Sequence, residues 1–195
     1  MTAISPLQSI HKKGLFGEHQ KKNENEILNI FELKNLMIVQ IVQYNTSDTI
    51  LKNINIDGLE FSSQNLKVSS NKETRVLWNA PNTWLVVSEK ENILKDINKK
   101  FTKEKFAVTD LSHSRAVMKI VGANAKEVLK KGCPLNFDEF KENNCASSTF
   151  HGINFVVDCV DENTQAFSLL TLRSFGESFY HHITDAALEY GYVGL

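Results

Sequence analysis

The feature that most constrains this chain is its rhythm after residue 26. Short β-branched and aromatic runs recur, each closed by a turn signal, and helix-period segments are few and brief. The runs 27–33, 37–42, 73–78, 83–87, 106–111 and 116–121 carry the Val, Ile, Phe and Trp that suit a pleated, half-buried surface. Three more, 145–150, 153–160 and 166–172, follow. Pro81 presets the backbone for the second position of a tight turn, so 73–78 and 83–87 read as a hairpin across Ala80-Pro81-Asn82. Residues 62–72 are rich in Ser and Asn and read as loop.

Four segments keep helical spacing. Thr46-Ser47-Asp48 offers an N-cap to a helix burying Ile50, Leu51 and Ile54, which Asp57-Gly58 ends. Ile93, Leu94, Ile97 and Phe101 align on one face of 90–101. Ala125, Val128 and Leu129 align in 123–131, with Gly132 as the C-terminal cap and Pro134 forbidding continuation. The last helix runs from about 174 to 190, with Ser174 as N-cap and Glu177 completing a capping box. Its buried stripe is Phe175, Phe179, Ile183, Ala186 and Tyr190, and Gly191 closes it. The order predicts an α+β fold of two similar halves, 26–104 and 105–195, with largely antiparallel sheets. Residues 1–25 are polar, with Leu7, Ile10, Leu15 and Phe16 as the only apolar anchors. They read as an N-terminal arm that either frays or wraps a partner.

Composition then excludes several function classes. The chain has 195 residues, 42% hydrophobic and 23% charged, enough apolar surface to bury a core. Lys+Arg is 22 against 23 Asp+Glu, so the basic excess of a general nucleic-acid binder is missing. No run approaches the roughly 20 apolar residues of a membrane helix, and residues 1–25 lack the apolar stretch of a secretory signal. Cys133, Cys145 and Cys159 are too sparse for a disulfide framework, so a reducing cytoplasm is expected.

The densest polar cluster is Asp110-Leu111-Ser112-His113-Ser114-Arg115. Asp, Ser and His together invite a hydrolase triad, but in an extended segment Ser112 and His113 point to opposite faces. A nucleophile must reach its base, and no Gly-x-Ser-x-Gly elbow occurs. The block reads instead as structure: Asp110 and Ser112 bond backbone donors at a strand end, and Arg115 pairs with Asp110 across a turn or meets a partner subunit. His181, Asp185 and Glu189 share a face of the last helix, but without His-Glu-x-x-His or Cys-x-x-Cys spacing they read as a solvated stripe, not a metal site. No Gly-rich phosphate loop is present, so no dinucleotide or ATP is expected. Trp78 and Trp84 flank the Pro81 turn and fill a core edge or form a partner contact. From the residues alone, no catalytic, cofactor-binding or metal-binding residue stands out. Asp110, Ser112, His113, Arg115, Trp78 and Trp84 are structural or interface candidates.

The run Val108-Thr109-Asp110-Leu111-Ser112-His113-Ser114-Arg115-Ala116, then Lys119-Ile120-Val121-Gly122 and Glu127-Val128-Leu129, resembles the gamma subunit of heterotetrameric sarcosine oxidase. So do Lys131-Gly132-Cys133-Pro134-Leu135, Leu77-Trp78-Asn79-Ala80-Pro81-Asn82-Thr83-Trp84-Leu85, Arg173-Ser174-Phe175 and Ser5-Pro6-Leu7, all in the same order along the chain. The Asp-x-Ser-His block before a Val-x-Gly strand end is also similar to the aminomethyltransferase (glycine-cleavage T-protein) folate-binding fold. The Asn-Gly-Gly-x-x-Asp-Asp-like segment that carries the catalytic aspartate there is missing. The tryptophan turn departs from the Gly-Pro-Asp-Glu-Trp usual in the gamma family, reading Ala80-Pro81-Asn82-Thr83-Trp84. The resemblance implies a non-catalytic subunit that docks mainly on the alpha subunit and stabilises it, alongside beta and delta subunits. It implies a complex that oxidatively demethylates sarcosine to glycine with FAD, FMN, NAD, tetrahydrofolate and zinc held by other subunits. Two alternatives stay open: a subunit of a related N-methyl amino acid dehydrogenase, acting for example on N-methylglutamate, and a free-standing folate-binding protein.

Overall fold

The computed structural model describes residues 4–20, 22–23, 26–44 and 54–195. In chain order the strands are β1 (Gly14–Phe16), β2 (Leu28–Glu32), β3 (Met37–Gln43), β4 (Asn55–Ile56), β5 (Leu59–Glu60), β6 (Val68–Ser70), β7 (Thr74–Ala80) and β8 (Thr83–Ser88). Helix α1 (Ile93–Lys100), β9 (Phe106–Asp110), β10 (Arg115–Val121) and α2 (Ala125–Lys130) follow. The chain continues with β11 (Cys145–Phe150), β12 (Ile153–Asp161), β13 (Ala166–Leu172), α3 (Gly176–Ala187) and β14 (Tyr192–Gly194). Among the described residues, one sheet has the order β1-β14-β2-β10-β13-β12-β11 and a second the order β6-β7-β8-β3-β9, while β4 and β5 form a small hairpin. The β14–β2 pair is parallel, while β1–β14, β2–β10, β10–β13, β12–β13, β3–β8, β3–β9 and β7–β8 are antiparallel, so the α+β architecture is largely antiparallel as expected.

The chain divides into two compact units, and they are not the contiguous halves 26–104 and 105–195. One unit comprises 1–34, 114–142 and 147–195; the other comprises 35–113 and 143–146. The reason is pairing. β9, expected to open the second half, lies beside β3 with Ile41 opposite Val108. β2, expected in the first half, lies beside β10 with Ile30 opposite Ile120. Periodicity reports which face of a strand is apolar, not which neighbour it takes.

In the larger unit, α3 packs on β10 and β13. Phe179 from α3 lies 5.2 Å from Phe155 and 6.1 Å from Phe150, ring to ring. Phe179, Ile183 and Ala186 are buried, as their spacing predicts, but Phe175 is exposed and Tyr190 only half-buried. Ser174 does not cap α3. The Arg173 amide donates to the Ser114 carbonyl (2.9 Å), the chain leaves β13 through a 3-10 turn, and α3 begins at Gly176 without a side-chain cap. Gly132 serves space, not a left-handed cap: a Cβ there would sit 2.8 Å from the Phe150 ring.

The N-terminal segment is not a free arm. Leu7 is fully buried, the Ser5 hydroxyl donates to the Glu32 carboxylate, and Arg173 donates to the Ile4 carbonyl. β1 pairs with β14, and Phe16 stacks on Tyr192 at 5.2 Å. Neither the strand 192–194 nor its partner carries enough apolar length to be read from sequence, since each needs the other to satisfy its backbone.

In the smaller unit, Val39, Ile41, Val76, Trp84 and Val86 meet Ile93 and Ile97 of α1, with Phe61, Phe101 and Phe106 packed edge to face. The Pro81 hairpin forms as expected, with Asn82 at φ +55. Within 62–72, β6 pairs with β7, so part of that stretch is strand. The helix expected before Asp57 falls mostly outside the described residues. Asp57-Gly58, with φ values of +53 and +77, is the two-residue turn of the β4–β5 hairpin rather than a helix end. Asp57 also anchors a network: Lys90 Nζ at 2.6 Å, Thr74 Oγ1 at 2.7 Å and Asn71 Nδ2 at 3.0 Å all donate to its carboxylate.

Two outcomes follow from this packing. Leu7→Ala removes a fully buried side chain and should cost about 2–5 kcal/mol of stability by urea unfolding; a change near zero would return the segment to the status of a loose arm. The donors from Lys90, then Asn71 and Thr74, hold the Asp57 carboxyl at about 2. Its folded pKa is depressed, so its contribution is full above the unfolded value near 4 and is lost as pH falls through about 2. Asp57→Asn should melt below the wild type at pH 7, with the gap closing between about pH 4 and pH 2; a gap constant over that range would contradict the assignment.

Candidate functional site

The polar block 110–115 is placed by the exit from β9 and the entry to β10. Ser112 sits where the chain turns between them. Its hydroxyl donates to Asp110 Oδ1 at 2.6 Å and accepts from the Ile38 amide at 3.0 Å, while its own amide donates to Asp110 at 2.9 Å. Asp110 and Ser112 thus close an Asx-type turn that pins the strand end. Burial raises the Asp110 carboxyl, but the Ser112 hydroxyl and amide, with the nearby His113, outweigh it and hold the group below its ordinary range. His113 is exposed. The Ser112 hydroxyl thus bridges the Asp110 carboxylate and the Ile38 amide across the turn.

Asp110 and Arg115 are not the pair their spacing allowed. Asp110 turns to Ser112, and the Arg115 guanidinium donates to the hydroxyl and carbonyl of Ser114 at 3.2 and 3.4 Å. Burial pulls the Arg115 guanidinium below its usual range. In register, Arg115 lies opposite Leu172 of β13. It lines a cleft of about 320 Å3 with Ser148, Thr149, Asn154, Leu170 and Leu172. Sequence reading missed this cleft because its walls come from four strands. The one available signal was Arg115 itself, a cation at the head of a strand whose other residues, Lys119 apart, are apolar.

The tryptophans divide. Trp84 is buried, its indole N–H donates to the Ser62 carbonyl at 2.9 Å, and Phe61 meets it edge-on. Its cross-strand partner Trp78 is half-buried against the same core. Cys145 donates its thiol to the Trp78 carbonyl at 3.1 Å, and all three cysteines are buried.

Among the described residues no three His, Cys, Asp or Glu side chains converge on one point. The expected stripe goes separate ways: His181 on α3 lies beside Glu177 at 3.9 Å, while Glu189, past the end of α3, pairs with Lys131 at 2.7 Å. No helix of the described residues is long and apolar enough to cross a membrane.

This architecture is that of the aminomethyltransferase-like class. The chain is similar to the glycine cleavage system aminomethyltransferase T from Bartonella henselae, with a TM-score of 0.62 and 12% identity over 86% of this chain and 48% of that one, so it spans about half the enzyme's length. It is also similar to the heterotetrameric sarcosine oxidase from Corynebacterium sp. U-96, solved in complex with pyrrole 2-carboxylate, with a TM-score of 0.77 and 24% identity over 86% of this chain and 87% of that one. No curated protein sequence matches significantly. The model of the sarcosine oxidase gamma subunit family matches residues 51–189, and the chain belongs to that family.

Asp110→Ala removes two bonds from Ser112 at a partly exposed turn. It should cost about 1–3 kcal/mol at roughly 0.5–1.5 kcal/mol per bond, read from the chain's own denaturation curve. Unchanged stability would show that the turn holds without its carboxylate.

Proposed function

We propose that this chain is the non-catalytic gamma subunit of a sarcosine oxidase-like complex, docking on the large alpha subunit and stabilising it. The family match over residues 51–189 carries the reading. The geometry of the 110–115 block supports it, because Asp110 and Ser112 spend their hydrogen bonds on a turn. In this reading the complex oxidatively demethylates sarcosine to glycine. Beta and delta subunits complete it, and FAD, FMN, NAD, tetrahydrofolate and zinc are held outside this chain. A related complex oxidising another N-methylated amino acid, as a dehydrogenase, fits the same family placement.

The likeness to an aminomethyltransferase favours one second reading, a free-standing folate-binding protein. The absence of the Asn-Gly-Gly-x-x-Asp-Asp-like segment weighs against it, and shared architecture does not carry function with it.

The purified chain should be colourless, leave sarcosine unoxidised and show no binding of tetrahydrofolate by calorimetry. Mixed with its partner subunits it should co-elute and raise their melting temperature, since a ligand of the folded state stabilises by mass action. Stoichiometric flavin on the isolated chain, or amine oxidation by it alone, would overturn the reading. Tight tetrahydrofolate binding without co-elution would replace it with the second.

A further inference from the structure

Among the described residues, no carboxylate answers the charge of Arg115. The residue is half-buried at the head of β10. A guanidinium offers five N–H donors in a planar fork that matches a carboxylate. Among the described residues its hydrogen bonds go only to the neutral oxygens of Ser114, at 3.2 and 3.4 Å, and no carboxylate lies within ion-pair distance. Burying an unpaired charge is costly, so a fold that keeps one half-buried gains when a counter-charge arrives.

The cleft beside it is shaped for a mixed occupant. Ser148, Thr149 and Asn154 supply hydroxyl and amide groups, while Leu170 and Leu172 supply apolar surface. Leu172 is 41% exposed, and Phe175, at the end of the turn that follows it, is 48% exposed. A free carboxylate such as acetate would answer the cation and leave those side chains wet. An acidic side chain on an apolar stretch of polypeptide would cover both.

We propose that the Arg115 cleft is the docking site for an Asp or Glu side chain borne on an apolar segment of a partner subunit. This rests on the reading of the chain as a docking subunit, and it names the chemistry of the contact. The guanidinium takes the carboxylate through its unused donors, the cleft hydroxyls and amide take the remaining lone pairs, and Leu172 and Phe175 pack on the flanking apolar residues.

The test uses the full chain and its partner subunits, co-produced without it from the same source, with affinity measured by calorimetry. Arg115→Met should weaken association at least about 30-fold, the usual cost of truncating one side of a buried charge pair. Arg115→Lys should fall between the two, since an ammonium cannot replace the fork. Leu172→Glu places a carboxylate opposite Arg115 within the same sheet. It should satisfy the cation internally and weaken association comparably, with a circular dichroism spectrum and melting temperature that report a folded chain. A wild-type chain that fails to associate would remove the docking reading itself. Normal association by the wild type, with Arg115→Met and Leu172→Glu both within about threefold of it, would leave that reading intact and overturn the cleft's assignment. Acetate binding that Arg115→Met abolishes while association is unchanged would likewise overturn it, in favour of a small-anion site.

Discussion

Strand β10 is the member on which the larger sheet depends. Met118 lies opposite Leu169 of β13 on one side and Glu32 of β2 on the other, so one seven-residue strand joins segments from both ends of the sequence. Its neighbour β2 accepts β14 in parallel, and β14 in turn accepts β1. The N-terminal residues are therefore ordered at the end of a chain of pairings, each needing the one before. Such contacts are far apart in sequence, and their loop-closure entropy must be met before they reward it. The apolar face of β10, with Ala116, Met118 and Ile120 all buried, provides that reward where β10 packs against α3.

The residues just before β10 follow from the same demand. A chain that leaves β9 and enters β10 must turn within a few residues. Asp110 and Ser112 make that turn by supplying acceptors to backbone amides that would otherwise lack partners. The densest polar cluster of the sequence therefore holds the strand end together. Arg115, the first residue of β10, is different: its backbone joins the sheet, but among the described residues its side chain donates only to the neutral oxygens of Ser114.

Likeness at 12% identity to an aminomethyltransferase shows how loosely this architecture constrains sequence. The sheets require alternating apolar faces, tight turns and a helix of Phe and Ile, and many sequences meet those demands. What distinguishes members of such a fold lies in the side chains left over after the sheets are built. Here those are the cation of β10 and the exposed apolar residues around Leu172.

Much of the local structure was legible in the sequence. Runs rich in β-branched and aromatic residues mark β2, β3 and β7 to β13, and period-3.6 runs mark α1 to α3, because a strand or helix must present apolar side chains wherever it packs. The Pro81 hairpin was legible because a proline ring sets φ without outside help. The short members were not: β1, β6 and β14 are three residues each and exist only as partners of other strands. The start of α3 was misread at Ser174 because a tertiary bond, Arg173 to Ser114, sets where the helix begins. Arg115 and Asp110 look like a pair in sequence, but their partners depend on which way each strand leaves the turn. The sequence by itself thus determined the class of fold, the faces of its elements and the family. Only the tertiary structure decided which strands are neighbours, that the two units interleave along the chain, and that a cleft forms beside Arg115. Periodicity encodes burial of a face, whereas neighbourhood and concavity arise when distant segments compete for the same hydrogen-bonding edges.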